Sequence, residues 1–238
     1  MIPRRRTLLA AATLALPSVA AAQDARVLRM VPLANLASFE PTYTASSITR
    51  NYGFMVCDTL HCMNSGLEPT PQMAVGHLVE EDGHRVTITL RDGLSFHDGS
   101  PVRAVDVVAS LKRWMVRSQF GQKLATMMDD LSAKDDRSVV FRLNKPFPLL
   151  FHALAGLSLP PLIMPERVAK TDLFKQIDYT IGSGLFRFKR DEFNSGSLAV
   201  FERNAAYQPR NERPSLTAGA EIVHFDRVEW TFIPDSGT

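Results

Sequence analysis

The sequence predicts a mixed α/β fold, and three observations carry that expectation. Val86, Ile88 and Leu90 alternate with Thr87, Thr89 and Arg91, and Val139, Phe141 and Leu143 alternate with Val140 and Arg142, the period of half-buried strands. Between them, residues 103–118 switch to helical period, with Val107, Val108, Leu111, Trp114 and Met115 on one stripe and Asp106, Ser110, Arg113 and Arg117 on the opposite one. Late in the chain, Phe186 to Lys189 and Leu198 to Phe201 flank Asn194-Ser195-Gly196-Ser197 and read as a hairpin with a loose loop.

Taken in order, the chain opens on Arg4-Arg5-Arg6, an apolar stretch from Leu8 to Leu16 and the small residues Ala20-Ala21-Ala22. These are the three regions of a signal peptide, with cleavage expected after Ala22 so that Gln23 becomes the first residue. Pro17 interrupts the apolar run too early for a bilayer span, and Arg5-Arg6-Thr7-Leu8-Leu9 is compatible with the general secretory or the twin-arginine route. Removing residues 1–22 takes away three arginines and no acid, so the formal charge falls from +2 to −1. A near-neutral chain without a Lys/Arg block offers no electrostatic case for nucleic acid.

Val27 to Val31 reads as a buried strand, followed by a loop through Asn35, Ser38, Glu40 and Pro41, and residues 47–60 look helical. Gly66 to Pro71 is a turn-rich connector, and Glu80-Glu81-Asp82-Gly83, Asp92-Gly93 and Asp98-Gly99 supply tight turns. Asp135-Asp136-Arg137 turns the chain into the second alternating strand; a short helix over 146–155 ends at Gly156, and Pro160, Pro161 and Pro165 mark a subdomain edge. A last alternating strand covers Val228 to Ile233, ahead of Pro234-Asp235. The organisation expected is a sheet-centred part made of residues 24–42 and 166–238, with 43–165 inserted as a smaller α/β subdomain.

Catalytic chemistry leaves no compact signature. His61, His77, His84, His97, His152 and His224 are dispersed without metal-ligand spacing. His97-Asp98 reads as a solvated turn, and Gly182-Ser183-Gly184 lacks the register of a nucleophile elbow, its glycines suiting a flexible strand entry. Cys57 and Cys62, five residues apart, read as two buried thiols, with a disulfide as the alternative in an exported chain. These negatives point to binding rather than catalysis, with no cofactor and no metal.

The run from Asp82 to Val108, with its strand, its Phe96-His97-Asp98-Gly99 turn and its Ala104-Val105-Asp106-Val107 helix, resembles the signature of the family 5 extracytoplasmic solute-binding proteins, the peptide, opine and nickel class. Pro71-Gln72-Met73-Ala74, Pro146 to Leu150, Ile181 to Phe186, Glu202 to Tyr207 and Asp226 to Asp235 follow the same family in order, so the resemblance covers essentially all of the chain after residue 22. Two positions depart from it: Gly76-His77-Leu78-Val79 stands where a tryptophan is usual, and Leu185 where a proline is.

The resemblance implies the first lobe of a two-lobed fold like that of the type II periplasmic binding proteins, a periplasmic receptor that closes around a small solute, by default a short peptide. It further implies delivery to a membrane permease driven by an ATPase, and a monomer. Family members continue for a stretch comparable to the whole of residues 23–238, so the second lobe is expected to be absent and one wall of the cleft present. Because ligands bind outside the carboxyl ends of strands in open sheets, Asn35 and Ser38 after the first strand are the candidate contacts. Two other readings stay open: a truncated remnant that binds nothing, and an exported hydrolase built from scattered His and Asp residues.

Overall fold

The computed structural model describes residues 25–178 and 181–233; the expected cleavage site at Ala22 and Gln23, and Pro234-Asp235, lie outside them. In chain order the elements are β1 (Val27–Met30), α1 (Ser47–Val56), β2 (Asp58–Thr59), β3 (His61–Met63), β4 (Pro69–Pro71), β5 (Ala74–Glu80), β6 (Arg85–Leu90), α2 (Ala104–Arg117), α3 (Gln119–Thr126), β7 (Met128–Ala133) and β8 (Ser138–Leu143). There follow α4 (Leu150–Leu154), β9 (Leu162–Ile163), α5 (Glu166–Ala169), β10 (Phe186–Phe188), β11 (Leu198–Arg203) and β12 (Arg227–Thr231).

Two four-stranded sheets organise this mixed α/β chain. The first runs β1-β12-β11-β10, with β1 parallel to β12 (Val27 opposite Arg227, Met30 opposite Trp230) and the other pairs antiparallel. The second, β5-β6-β8-β7, is wholly antiparallel. Small pairings, β2 with β9 and β3 with β4, join the segments between them.

The second sheet and α2 are built as their periods require. Val86, Ile88 and Leu90 point inward with Val139, Phe141 and Leu143, and meet Val107, Leu111, Trp114 and Met115 in one apolar core. The opposite stripe of α2 is not left to solvent: Asp106, Ser110 and Arg113 are buried too. Each has found partners that make burial tolerable. The Asp106 carboxylate accepts from the Arg103 and Glu166 amides, and the Ser110 hydroxyl donates to the Met164 carbonyl and accepts from the Met164 amide. Arg113 Nε donates to Glu40 Oε1 at 2.7 Å, while its other nitrogens reach the carbonyls of Thr171, Asp172 and Lys175.

On the first sheet, α1 contributes Ile48, Tyr52 and Val56 to a core with Phe188, Phe201, Val228 and Trp230. α1 therefore packs on the first sheet although it lies within residues 43–165. It ends at Val56, short of residue 60, because Cys57 turns extended and the following residues pair as β2. The reading of residues 27–31 as a buried strand needs correction: Leu28 and Met30 are exposed, since β1 is an edge strand and α1 does not extend over it.

Candidate functional site

The carboxyl ends of the parallel pair β1 and β12, the start of β11 and the turn before it lie at one end of the first sheet. Asn35 is half-buried there, its Oδ1 accepting from the Gly196 amide at 3.0 Å, which pins the loop after β1 to that turn. Ser38 is buried and its hydroxyl accepts from the Glu40 amide at 3.3 Å, shaping the loop from within. The same end of the sheet exposes large apolar side chains: Val31, Ile233 and, at 99% of its full accessibility, Leu33.

Beside α1, the first sheet carries an open apolar groove of ≈ 500 Å³ over β1 and β12. Leu28, Met30, Phe54, Phe186 and Trp230 line it, and the irregular segment 221–225 forms one wall. It exists because one helix covers a sheet wide enough for more.

Where the two sheets approach each other, the motifs singled out in the sequence have come together. His97 is not a solvated turn residue. Its amide donates to the Gly182 carbonyl (2.8 Å), its Nε2 donates to the Gly184 carbonyl (3.0 Å) and its Nδ1 accepts from the Gly182 amide (3.3 Å), which fixes the Nε2-protonated tautomer. Burial pushes its pKa down to about 4, so it stays neutral near pH 7. Gly182 and Gly184 serve close approach rather than flexibility: a Cβ on Gly182 would stand 1.9 Å from the Val56 carbonyl oxygen, and one on Gly184 2.8 Å from the same carbonyl carbon. Asp98 closes its own turn through Ser100 and pairs with Arg167. His97 and Asp98 thus hold backbone, and neither is presented as an acid/base pair.

Sequence reasoning missed a second buried polar cluster. Tyr207 Oη donates to Glu221 Oε2 at 2.5 Å and Gln72 Nε2 donates to the same oxygen at 3.0 Å, with the buried Asp58 near enough to feel the Glu221 charge. Burial, and then the Glu221 charge, push Asp58 up to about 8; burial likewise raises Glu221. These residues come from segments some 150 positions apart, and nothing local distinguishes them.

His61 is buried with neither ring nitrogen hydrogen-bonded, near Phe151 and His77, and burial holds its pKa down to about 4. Cys57 and Cys62 are free thiols; burial lifts Cys57 to about 12 and raises Cys62 as well, so both stay protonated. Among the described residues no cluster of three or more His, Cys, Asp or Glu could hold a metal, and no helix is long and apolar enough to cross a membrane.

Residues 68–238 match the family model described as bacterial extracellular solute-binding proteins, family 5 middle. A probable peptide ABC transporter periplasmic-binding protein of Sinorhizobium fredii, y4tO, is 39% identical over 227 residues, 94% of this chain and 42% of that protein. The glutathione-binding protein GsiB of Pectobacterium atrosepticum is 27% identical over 169 residues, 70% of this chain and 30% of that one. This chain therefore spans less than half the length of these relatives. Among solved structures, NikA from Brucella suis in complex with Fe(III)-EDTA superimposes with a TM-score of 0.72 at 21% identity, over 88% of this chain and 40% of that one. A dipeptide binding protein from Pseudoalteromonas in complex with Met-Leu gives 0.70 at 20% identity, over 88% and 44%. At these identities the structural likeness speaks for the fold.

Proposed function

Since the chain belongs to family 5 of the bacterial extracellular solute-binding proteins, we propose that it provides one wall of a periplasmic solute site, serving capture rather than catalysis. The proposed solute is a short peptide or a molecule of similar size, handed to the permease and ATPase of an ABC importer by a monomeric receptor. The observation that carries this reading is the exposed apolar rim of Val31, Leu33 and Ile233 at the carboxyl end of the β1 and β12 pair, where open α/β sheets receive ligands. Asn35 and Ser38 are the proposed polar members of the wall, Asn35 by its half-buried carboxamide and Ser38 through the turn it sets at Glu40. The names of the relatives, one a peptide ABC transporter protein and one glutathione-binding, favour peptide-like solutes. Export to the periplasm is the reading of residues 1–22.

Titration calorimetry of the purified chain against Met-Leu and glutathione tests this. The chain spans less than half the length of its relatives and, tested alone, surrounds only part of a ligand, so saturable binding with Kd on the order of 1 mM is expected. Leu33→Asp, at a side chain that packs on nothing, should abolish the heat without changing the melting temperature. No heat from either solute with a cooperatively melting chain, or undiminished binding by the Leu33 variant, counts against the assignment.

A further inference from the structure

The proposed solute wall is built from three chain segments that carry no charge. Residues 30–39, 193–201 and 230–233 contain no Asp, Glu, Lys or Arg. Backbone and side-chain bonds knit them together at the carboxyl end of the first sheet. Asn35 Oδ1 accepts from the Gly196 amide, the Phe232 amide donates to the Ser197 carbonyl at 2.8 Å, and Met30 stands opposite Trp230. The polar side chains these segments carry, among them Asn35, Asn194, Ser195 and Ser197, are neutral.

The charges that border these segments are already taken within the chain. Arg29 pairs with Glu229 at 2.9 Å, and Glu229 also holds Arg227. Glu192 meets Arg227 from the other side, and Glu202 lies 3.7 Å from Lys189. Glu40, at the end of the loop after β1, is buried, its carboxylate accepting from Arg113, the Thr42 hydroxyl and the Ile177 amide. Arg190 lies over the Phe39 and Phe193 rings and pairs with Asp178. Among the described residues, the three segments and their flanks thus offer a solute no unpaired counter-ion.

A charged group brought from water to a surface without a counter-ion loses hydration and gains nothing in return, whereas an apolar side chain gains by leaving water. Leaving the charge of a wrong partner unpaired is one way a site rejects it. Resting on the reading of this surface as the solute wall, we propose that it selects peptides by charge: it accepts uncharged side chains, apolar ones against Val31, Leu33 and Ile233, and rejects acidic and basic side chains alike. Rejection of both signs is the distinguishing mark, because a wall holding one unpaired ion would favour the opposite sign. Glutathione, a net anion at neutral pH, should accordingly bind more weakly than Met-Leu.

Dipeptides with the same free termini isolate the charge of the side chain. Met-Leu, Met-Gln, Met-Glu and Met-Lys are titrated into the isotope-labelled chain and followed by the shifts of its backbone amides, which report both weak affinity and location. Met-Leu should bind best, with its shifts at residues 31–39 and 194–198. Met-Gln should bind at least about threefold more tightly than Met-Glu, its near-isostere, and than Met-Lys. Raising the salt from about 20 to about 500 mM should change the Met-Leu Kd by less than about twofold, since no ion pair is there to screen. Asp235→Asn, at a position outside the described residues, should leave the order of the peptides unchanged. If none of the four peptides binds, the solute-wall reading falls and the selection with it. If Met-Leu binds at the rim but Met-Glu or Met-Lys matches Met-Gln, or Asp235→Asn alters the order, the selection alone is overturned. Shifts confined to other parts of the chain, or a Kd that follows the salt, overturn it too.

Discussion

The Nε2–H of His97 donates to the carbonyl of Gly184 across 87 residues of sequence, joining the turn after β6 of the second sheet to the segment that leads into β10 of the first. The bond is one of three that His97 makes to the 182–184 backbone. Replacing it with alanine leaves the buried Gly182 amide unpaired and the Gly184 carbonyl bonded by Asn204 Nδ2 without His97, and His97→Ala is expected to lower the unfolding free energy by about 1–3 kcal/mol. Urea denaturation followed by tryptophan fluorescence measures it; an unchanged midpoint would remove the clamp from the account.

Gly182→Ala is expected to be far more damaging, because its Cβ would overlap the Val56 carbonyl and neither backbone can yield without breaking the end of α1. At Gly76 a Cβ meets nothing within 4 Å, and Gly76→Ala should leave stability within about 0.5 kcal/mol of the parent. Thermal melts of the two variants side by side separate close approach from the general cost of altering a glycine.

The buried pair Glu40 and Arg113 leads to a test by paired substitution. Arg113→Met strands a carboxylate in the interior, at an expected cost of about 3–5 kcal/mol. Glu40→Gln combined with Arg113→Met removes both charges and should cost less than the single change, since no ion is left unpaired. Denaturation of the single and double variants gives the coupling directly; additive losses would mean the two residues stabilise independently.

Stability should fall between pH 6.5 and 8. Asp58 is held up to about 8 in the folded chain against 3.8 when exposed, so across that interval the folded state keeps a proton that the unfolded state has lost, and rising pH favours unfolding. His61 and His97 act oppositely but lower: each is held near 4 in the folded chain against 6.5 when exposed, so their contribution is lost as pH falls from 6.5 towards 4. From pH 6.5 upward their opposing contribution fades as the unfolded histidines lose their protons, and the carboxylates come to set the slope, at most about 1.4 kcal/mol per pH unit for each proton. Urea midpoints at pH 6.5 and 8 measure it, and Asp58→Asn should flatten the decline.

The parts of the molecule legible in the sequence are those where a local period decides the outcome. Val86, Ile88 and Leu90 on β6 and the Val107 to Met115 stripe on α2 face one core because period and burial coincide. The polar stripe of α2 does not announce its burial, since Asp106 and Arg113 are written in the same letters whether they face water or partners about 60 to 70 residues away. β7 was unreadable for a related reason: Met128-Asp129-Asp130-Leu131-Ser132-Ala133 has no apolar alternation, and its strand is imposed by the ladder with β8. At the candidate site the sequence placed Asn35 and Ser38 in the loop after β1, but the neighbouring apolar rim and the Asp58, Tyr207 and Glu221 cluster depend on proximity that no spacing announces.

The parallel register of β1 with β12, Val27 beside Arg227, also sets a timetable. A ribosome or a translocation pore delivers the chain from its N-terminus, so β1 emerges first and waits for a partner about 200 residues behind it. Meanwhile β5 to β8 and α2, whose contacts are shorter in sequence, can assemble as each arrives. The first sheet is therefore the last to close, and for the whole of its delivery the leading strand is an unpaired apolar edge that escort proteins or aggregation can claim.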